Sequence, residues 1–389
     1  MKKKFKYRLG TVSQALNWKS PEGKVLSYEP YIREMRVWAN LFEEVDVFAP
    51  LAKTEILVTV SEYGAENFSF DFVSYEDGIG IKNALKRLWQ LPRVLLKLFL
   101  FVWRHEVLLI RSPSHFGLFA HVMVFILRKK TITKYAGFFG AYENERMPSL
   151  LERNFIRHIL SPPHYVLVYG KHHADHLISF IPAAISLDEI AELRKLKDHI
   201  KSGNGTKFYS LGKLMPVKNF DLAINAFGLL TQEYPQLEWE YHLIGDGNER
   251  ENLYQLTKDL KIEDRVFFEG KLSYQAAMEK LTHADFVIMP GTKEGWPKVV
   301  IEAWAAGAVP IVVDAGLSAE IINDGVNGFL FEATPEAMKN KLLQVFASPA
   351  TSENIREHSL EFSKAMAIEN FTECAKAVCI NRLKLYAEL

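Results

Sequence analysis

Glu294 to Gly307 reads E-G-W-P-K-V-V-I-E-A-W-A-A-G, and the prediction of the fold starts from this stretch. The apolar run Phe286-Val287-Ile288-Met289 lies just upstream and predicts a buried strand, which a Pro-Gly pair ends. Glu294 therefore falls on the loop that follows this strand. Pro297 suits the first position of a helix, because its φ is preset and its missing N–H would have no partner there. Glu302 lies inside that helix, so two carboxylates are predicted beside a ligand at a helix N-terminus.

Strand-like and helix-like segments alternate on both sides of this stretch, from Lys207 to Ala347. The predicted strands are Lys207–Leu211, Trp239–Ile244, Val266–Phe268, Phe286–Met289 and Pro310–Val313. The predicted helices are Phe220–Tyr234, Asn248–Leu260, one from Gln275 with Ser273 as its cap, the Glu302 helix and one from Pro335. This alternation is typical of a parallel sheet with helices on both faces, which binds ligands beyond the carboxyl ends of its strands.

Two other loops at such strand ends have residues suited to a diphosphate ligand. Lys213 and Lys218 follow the first strand and come directly before a helix, where lysines can bracket a diphosphate. Gly245-Asp246-Gly247 ends the second strand in a tight turn that would let backbone approach a ligand. Taken alone, the lysines could equally be solvated turn residues, and many turns have this glycine pattern.

Taken in order, these segments resemble the donor-binding domain of the retaining glycosyltransferases of family 4. The resemblance covers roughly residues 207 to 333. It rests on Ser210-Leu211-Gly212-Lys213 through Lys218, Leu243–Gly247, Phe268-Glu269-Gly270, Glu294–Gly307 and Ile322–Leu330. The resemblance implies an α/β protein of GT-B fold, with two Rossmann-like doubly wound domains facing across a cleft.

The resemblance also implies a role for each matching residue. Glu302 would accept hydrogen bonds from the nucleotide ribose, and Glu294 would face the transferred sugar. Lys218 matches the diphosphate lysine, whereas Lys213 stands where the family has arginine, so a bidentate clamp becomes a point charge. These three, Glu294, Lys218 and Lys213, are the expected catalytic residues. The other expected donor contacts are Gly212, Gly245, Asp246, Gly247, Gly295, Trp296, Lys298, Val299 and, from the N-terminal half, Gly23.

The chemistry of such a transfer explains the lysines. Breaking the anomeric bond develops positive charge on the sugar and negative charge on the departing diphosphate, which cations and N–H dipoles stabilise. We find no Asp-x-Asp motif in a plausible loop and no cluster with metal-ligand spacing. His172, His173 and His176 are interpreted as structural or surface residues. A metal-independent enzyme without a cofactor is therefore expected.

The N-terminal half predicts a second α/β domain. Its strands are predicted at Tyr7–Gly10, Val45–Phe48, Val107–Ile110 and Tyr165–Val168, with a helix at Tyr28–Leu41. The expected boundaries are an acceptor-side domain at 1–183, a linker region at 184–204 and a donor-binding domain at 205–368. A final helix, 369–389, is expected to pack back on the first domain.

The acceptor side lacks one residue that the resemblance would supply. Many family members have a histidine in the segment that corresponds to Thr131–Gly137, where this chain has Lys134 and Tyr135. Tyr135 could orient a sugar hydroxyl but is a poor base at neutral pH. His115 and Glu143 are the nearest polar alternatives, so the acceptor-side residue is left unassigned.

Residues 85–104 interleave five basic residues with leucines and aromatics. The apolar part is too short to span a bilayer. It predicts either an interfacial helix on anionic lipid or a core helix whose basic residues reach outward. The first alternative would make the protein a peripheral membrane protein.

Composition sets the outer limits of the interpretation. With 389 residues, of which 48% are hydrophobic, the chain can fill two cores. Lysine plus arginine equals aspartate plus glutamate at 47 each, which argues against a nucleic-acid partner. Two cysteines and an N-terminus without an apolar signal core predict a cytoplasmic protein. An interfacial helix at 85–104 would place it at the inner face of the membrane.

The expected function is transfer of a sugar, with retention, from a UDP- or GDP-linked donor to a glycan or lipid-linked acceptor. Surface polysaccharide or lipopolysaccharide biosynthesis is the expected setting, on the resemblance alone. The alternatives are a nucleotide-sugar epimerase of GT-B fold and a non-catalytic nucleotide-sugar-binding partner.

Overall fold

A computed structural model describes residues 4–52, 60–74, 81–137, 139–140, 147–170, 172–180, 185–200, 205–292 and 296–385. The chain divides into two compact units. Unit 1 comprises Met1–Ala183 with Phe371–Leu389, and unit 2 comprises Ala184–Asn370. None of the helices in the described ranges is long and apolar enough to cross a membrane.

Unit 1 is built on one mixed, mostly parallel sheet. Its strands are β1 (Phe5–Val12), β2 (Asn17–Lys19), β3 (Val25–Tyr28), β4 (Phe42–Leu51), β5 (Val60–Glu62), β6 (Phe68–Ser74), β7 (Val107–Ser112), β8 (Lys130–Tyr135), β9 (His164–Val168) and β10 (Leu177–Ser179). Its first four helices are α1 (Glu29–Leu41), α2 (Ile81–Arg104), α3 (His115–Leu127) and α4 (Met147–His158). The strand order is β10-β9-β8-β7-β1-β4-β2-β3-β5, with β6 also paired to β4.

The strand order of unit 1 reverses beside β1. From β1 the chain continues to β4 and β6 on one side, and β7, β8 and β9 then follow on the other side. Helices cover both faces of such a sheet, and the strands are accordingly apolar; every residue of β9 is buried. A reversal of this kind leaves a crevice beyond the carboxyl ends of the two strands that flank it. In unit 1 these strands are β1 and β7.

Unit 2 is a six-stranded parallel sheet with helices around it. Its strands are β11 (Thr206–Leu211), β12 (Trp239–Ile244), β13 (Val266–Gly270), β14 (Phe286–Met289), β15 (Val309–Val313) and β16 (Phe329–Phe331). Its helices are α5 (Leu187–Asp198), α6 (Phe220–Glu233), α7 (Arg250–Asp259), α8 (Tyr274–Leu281), α9 (Lys298–Ala305), α10 (Ser318–Ile321), α11 (Pro335–Ala347) and α12 (Pro349–Ala365), and α13 (Ile368–Ala377) leads back to unit 1. The strand order is β13-β12-β11-β14-β15-β16, so the reversal falls between β11 and β14.

The segment expected to be a linker, 184–204, is instead largely part of unit 2. Ser186 and Glu189 form a capping box at the start of α5. Ile190 and Leu193 on this helix are buried in the same core cluster as Val287 of β14. Arg194 and Lys197 of this charged stretch also bond to unit 2, where they donate to the Trp304 and Ala284 carbonyls at 2.6 and 2.8 Å.

The C-terminal segment is less regular than the single helix expected over 369–389. The α-helical turns of α13 end at Ala377, and Val378–Arg382 form a π-helical turn. Phe371 packs edge-on against Trp38 of α1, with ring centroids 6.1 Å apart. The apolar face of this segment therefore lies against unit 1.

Candidate functional site

The loops that follow β11 and β12 run side by side beyond the carboxyl end of the sheet. The Gly212 N–H donates to the Ile244 carbonyl at 3.0 Å, and the Leu214 N–H donates to the Asp246 carbonyl at 3.0 Å. The Glu249 N–H returns a bond to the Leu214 carbonyl at 3.1 Å. Backbone bonds thus fix the lysine-bearing loop against the Gly-Asp-Gly turn.

The two glycines of this turn are required by the neighbouring loop. Gly245 has a φ of +145°, and a Cβ on it would lie 1.9 Å from the Gly212 carbonyl oxygen. A Cβ on Gly247 would lie 2.1 Å from the Leu214 carbonyl oxygen. The sequence predicts that these glycines leave room for a ligand. In the structure, the backbone of the preceding loop occupies the space next to them.

Lys218 lies over the start of this paired structure. It ends the 3-10 turn Pro216–Lys218, just before α6, and its Nζ lies 3.9 Å from where a Gly212 Cβ would be. Lys213 is exposed on the same loop. The arrangement puts two cationic side chains beside backbone N–H groups and a helix N-terminus, which is favourable for a bound anion.

The loop that follows β14 lies next to the lysine loop. Asn219 Nδ2 donates to the Pro290 carbonyl at 3.3 Å, which joins the two loops at the reversal of strand order. Glu294 and Gly295 lie outside the described residues. The chain is described again from Trp296, which is half-buried against the core cluster that contains Ile301.

Glu302 lies in α9 and is 7% exposed. The helix begins at Lys298, one residue later than predicted, because Pro297 has a non-helical ψ of 74° and serves as the N-cap. Lys298 and Val299 form its first turn, where backbone N–H groups have no partner within the helix. The Val299 side chain packs against the core, so only the backbone of this residue suits a contact with the nucleotide-sugar donor.

The Ile322–Leu330 segment has a structural part that the resemblance did not specify. Trp304 Nε1 on α9 donates to the Asn327 carbonyl at 2.7 Å. The Asn327 side chain accepts from the Asn323 N–H at 2.7 Å and donates to the Ile321 carbonyl at 2.8 Å. This segment therefore holds the helix that carries Glu302.

Glu269, which belongs to the matching segment Phe268-Glu269-Gly270, is hydrogen-bonded to neighbouring side chains. Burial raises the pKa of its carboxyl, but hydrogen bonds from Lys280 and His242 outweigh this effect and hold the pKa below its usual value. Its Oε1 lies 2.8 Å from His242 Nδ1 and 2.9 Å from Lys280 Nζ. These contacts indicate a structural carboxylate.

Gly23 lies at the tip of the β2–β3 hairpin, which the sequence did not predict. It has a φ of +81°, and nothing lies within 4 Å of the position of a Cβ. The loop that leaves β1 directly instead contains Gln14, whose Oε1 accepts from the His115 N–H at 3.0 Å. No sequence motif marks Gln14; only the pairing of β1 with β7 brings it to the start of α3.

The acceptor-side candidates have different environments. His115 is exposed at the first residue of α3, at the reversal between β1 and β7. Tyr135 is 1% exposed and packs edge-on against Phe139, with centroids 4.9 Å apart, so its ring belongs to the core. Glu143 lies outside the described residues.

Lys134, the other residue at the histidine position, is buried. Its Nζ pairs with Glu34 of α1, which also pairs with Arg111 Nη1 at 2.8 Å. Two cations on one carboxylate form a buried ionic cluster. Removing one partner of such a cluster is costly, so Lys134 has a structural part here.

Two histidines of the 172–176 segment contact backbone carbonyls. His172 Nε2 lies 2.9 Å from the Tyr169 carbonyl, and His176 Nε2 lies 3.1 Å from the Ile156 carbonyl. Within the described ranges, no three His, Cys, Asp or Glu residues are grouped so that they could hold a metal ion.

Comparison with known proteins finds similarity to one family within unit 2. Residues 193–362 match the family described as Glycosyl transferases group 1. An uncharacterized glycosyltransferase from Haemophilus influenzae is 31% identical over 43% of this chain and 47% of its own length. The lipopolysaccharide core biosynthesis glycosyltransferase LpsE from Rhizobium meliloti is 28% identical over 39% of this chain and 43% of its own length. The chain thus spans less than half the length of these relatives.

A solved structure matches nearly the whole chain. The Anabaena protein Alr3699/HepE in complex with UDP superposes with a TM-score of 0.71 and 14% identity, over 96% of this chain and 100% of that one. At this identity the match shows the fold alone. The fold is α/β GT-B, with two Rossmann-like parallel sheets, and residues 193–362 of unit 2 are similar to the Glycosyl transferases group 1 family.

Proposed function

We propose that this protein is a retaining, metal-independent glycosyltransferase. It moves a sugar from a nucleoside-diphosphate sugar to a glycan or lipid-linked acceptor in surface polysaccharide or lipopolysaccharide biosynthesis. One observation carries the proposal furthest. At the reversal of strand order in unit 2, the lysine loop and the loop that leads to Glu294 are joined through Asn219 and the Pro290 carbonyl.

Different residues of unit 2 contact different parts of the nucleotide-sugar donor. Lys218, with Lys213 on the same loop, faces the diphosphate and stabilises the negative charge that develops on it. Glu302, in α9, accepts hydrogen bonds from the ribose. Glu294 faces the sugar, where positive charge develops at the anomeric carbon. The lysines take the part that a divalent cation has in other transferases.

UDP or GDP is the proposed leaving group, and the support for UDP is a related structure. Alr3699/HepE, which shares the fold, has been solved in complex with UDP and with UDP-glucose. A thermal-shift series with UDP, GDP, ADP and TDP tests the donor. A ligand at about 100 times its dissociation constant adds about 2.7 kcal/mol of stability. A flat response to all four nucleotides would contradict the donor site.

Lys218→Ala is expected to weaken UDP binding by about tenfold or more, because it removes a charge-assisted contact with the diphosphate. Uridine affinity should not change, because the nucleoside lacks the diphosphate. Calorimetric titration of both ligands measures the difference. Lys364→Ala, a change of an exposed lysine on α12, is the matched control. Equal losses for UDP and uridine would refute the proposed role.

We propose that the acceptor binds at the reversal in unit 1, where Gln14 and His115 meet. His115→Ala is expected to lower kcat by about 10- to 100-fold, because an imidazole in contact with the acceptor hydroxyl acts as a positioned acid or base. The dissociation constant for UDP should not change. Steady-state kinetics alongside UDP titration checks both expectations, and an unchanged kcat removes His115 from the reaction.

Product analysis separates this proposal from its two rivals. Incubated with the donor alone, a transferase hydrolyses it slowly, whereas an epimerase converts the sugar into its epimer. A non-catalytic binding partner does neither and shows no turnover that depends on Glu294.

We further propose that the protein works in the cytoplasm at the inner face of the membrane, in peripheral contact with anionic lipid through 85–104.

A further inference from the structure

Three neighbouring helices of unit 1 expose a set of large apolar side chains. They include Trp89 at 88%, Trp103 at 59% and Ile126 at 70% exposure. The other members are Leu96, Phe99, Leu100, Val122, Phe125, Met147 and Leu151, each at least 38% exposed. We call these residues of α2, α3 and α4 the outer apolar surface.

The outer apolar surface is continuous across the helices because α3 packs between α2 and α4. Phe101 and Val102 of α2 share a buried cluster with Ala120 and Val124 of α3. On the other side of α3, Phe125 meets Phe155 of α4 edge-on, with ring centroids 6.0 Å apart. The inner sides of the helices therefore form core, and their outer sides face away from it together.

The composition and exposure of α3 indicate most clearly that the outer apolar surface is an interaction site. Residues 115–127 read H-F-G-L-F-A-H-V-M-V-F-I-L and contain no Asp, Glu, Lys or Arg. A helix that is apolar all round is normally buried. Here Phe125 and Ile126 remain 43% and 70% exposed. A contiguous exposed apolar surface of this kind marks an interaction site.

The charged residues of α2 and of the end of α3 are all basic. Arg93 and Lys97 are exposed on α2, and Arg128 is exposed at the end of α3. Residues 81–104 and 115–127 contain no carboxylate. Glu152 on α4 is 1% exposed, and its Oε1 accepts from Ser112 Oγ at 2.7 Å. Basic residues around an apolar face are typical of helices that lie on anionic lipid.

A second copy of the chain suits this surface less well. A two-fold dimer formed through it would bring the basic residues of both copies to the same interface. Like charges that face each other across an interface oppose association. An anionic bilayer instead offers lipid chains to the apolar side chains and phosphates to Arg93 and Lys97.

We propose that the outer apolar surface of α2, α3 and α4 docks unit 1 onto the interface of an anionic membrane. The sequence left 85–104 as either an interfacial or a core helix, and α2 serves both purposes on opposite sides. The exposed apolar side chains of α3 and α4, outside 85–104, extend the docking surface to three helices. The docking itself does not depend on the proposed function. Its role, which is to bring the enzyme to a lipid-linked acceptor, rests on the proposed function.

Vesicle co-flotation of the full chain tests the docking. We expect binding to phosphatidylcholine vesicles that contain phosphatidylglycerol and weaker binding to phosphatidylcholine alone. The double variant Arg93→Glu, Lys97→Glu is expected to lose at least about 25-fold in affinity for the anionic vesicles, about fivefold for each basic charge removed. The pair Trp103→Ser, Ile126→Ser should lose about tenfold or more for both vesicle types, because buried apolar area is removed.

Matched changes on unit 2 serve as controls. Lys195→Glu with Lys364→Glu, and Leu187→Ser with Leu196→Ser, alter exposed residues outside the outer apolar surface. They should bind vesicles as the unaltered chain does. UDP titration of every variant, which should give unchanged affinity, reports on folding and on the donor site independently of lipid.

Two results would overturn the docking proposal. One is the absence of anionic vesicle binding by a chain that still binds UDP. The other is a concentration-dependent dimer in sedimentation velocity that Trp103→Ser with Ile126→Ser abolishes, since this would assign the surface to self-association. Failure of UDP binding with intact vesicle binding would instead count against the proposed function alone.

Discussion

Glu294→Ala is expected to lower turnover by at least about 100-fold, the usual scale for removing a group that stabilises charge in a transition state. UDP affinity should change little, because the proposed function assigns the diphosphate to Lys218 and the ribose to Glu302. Glu294→Gln separates charge from shape. It keeps the size of the side chain, so a similar loss would assign the effect to the carboxylate.

The measurements are steady-state transfer and UDP titration on the same protein samples. Glu332→Ala, which alters an exposed carboxylate of unit 2, is the control and should not change either quantity. Turnover that persists in Glu294→Ala would refute the proposed sugar contact. A parallel loss of UDP affinity would assign Glu294 to nucleotide binding instead.

Gly245→Ala is expected to destabilise unit 2 by about 2 to 4 kcal/mol. The new Cβ would lie 1.9 Å from the Gly212 carbonyl oxygen, at a φ of +145° that L residues rarely adopt. Because the contact is with backbone, the two loops must separate before the methyl group can fit. The lysine loop moves with them, so UDP affinity should fall together with stability.

Gly325→Ala is the matched control for this change. Gly325 also has a positive φ, +74°, but nothing lies within 4 Å of the position of its Cβ. It should cost about 1 kcal/mol through backbone strain and leave UDP affinity unchanged. Denaturant unfolding and UDP titration of both variants isolate the steric effect. Equal losses of stability would show that the loops do not pack as described.

Much of unit 2 could be predicted because its signals are local. The strand Trp239–Ile244 has the predicted bounds, and Ser273 caps α8 by accepting from the Ala276 N–H at 3.2 Å. Buried parallel strands are nearly continuous apolar runs, and caps need particular side chains at particular places. Both features can be read without knowing what packs against them. Unit 1 gave weaker signals, and the β2–β3 hairpin went unpredicted because its strands have only three and four residues.

The sequence marks some residues of the candidate site and not others, for a similar reason. The lysines, the glycines and the glutamates belong to ordered motifs, so their residue types and spacing predict a diphosphate ligand, and the resemblance that they carry implies a sugar. Gln14 belongs to no motif, and the sequence does not show that Gly23 lies at the tip of a hairpin. Tyr135 follows polar residues in the sequence but is in the core, because β8 lies inside the sheet between β7 and β9.

The sequence by itself determined the alternation of elements, the order of the donor motifs and the apolar and basic character of 85–104. Only the tertiary structure decided which loops meet. Strand order puts β11 beside β14 and β1 beside β7, although each pair is far apart in the chain. It also decided that Gly245 faces backbone and that α3 shows an apolar side to solvent. These are consequences of packing between distant segments, which local propensity and spacing do not encode.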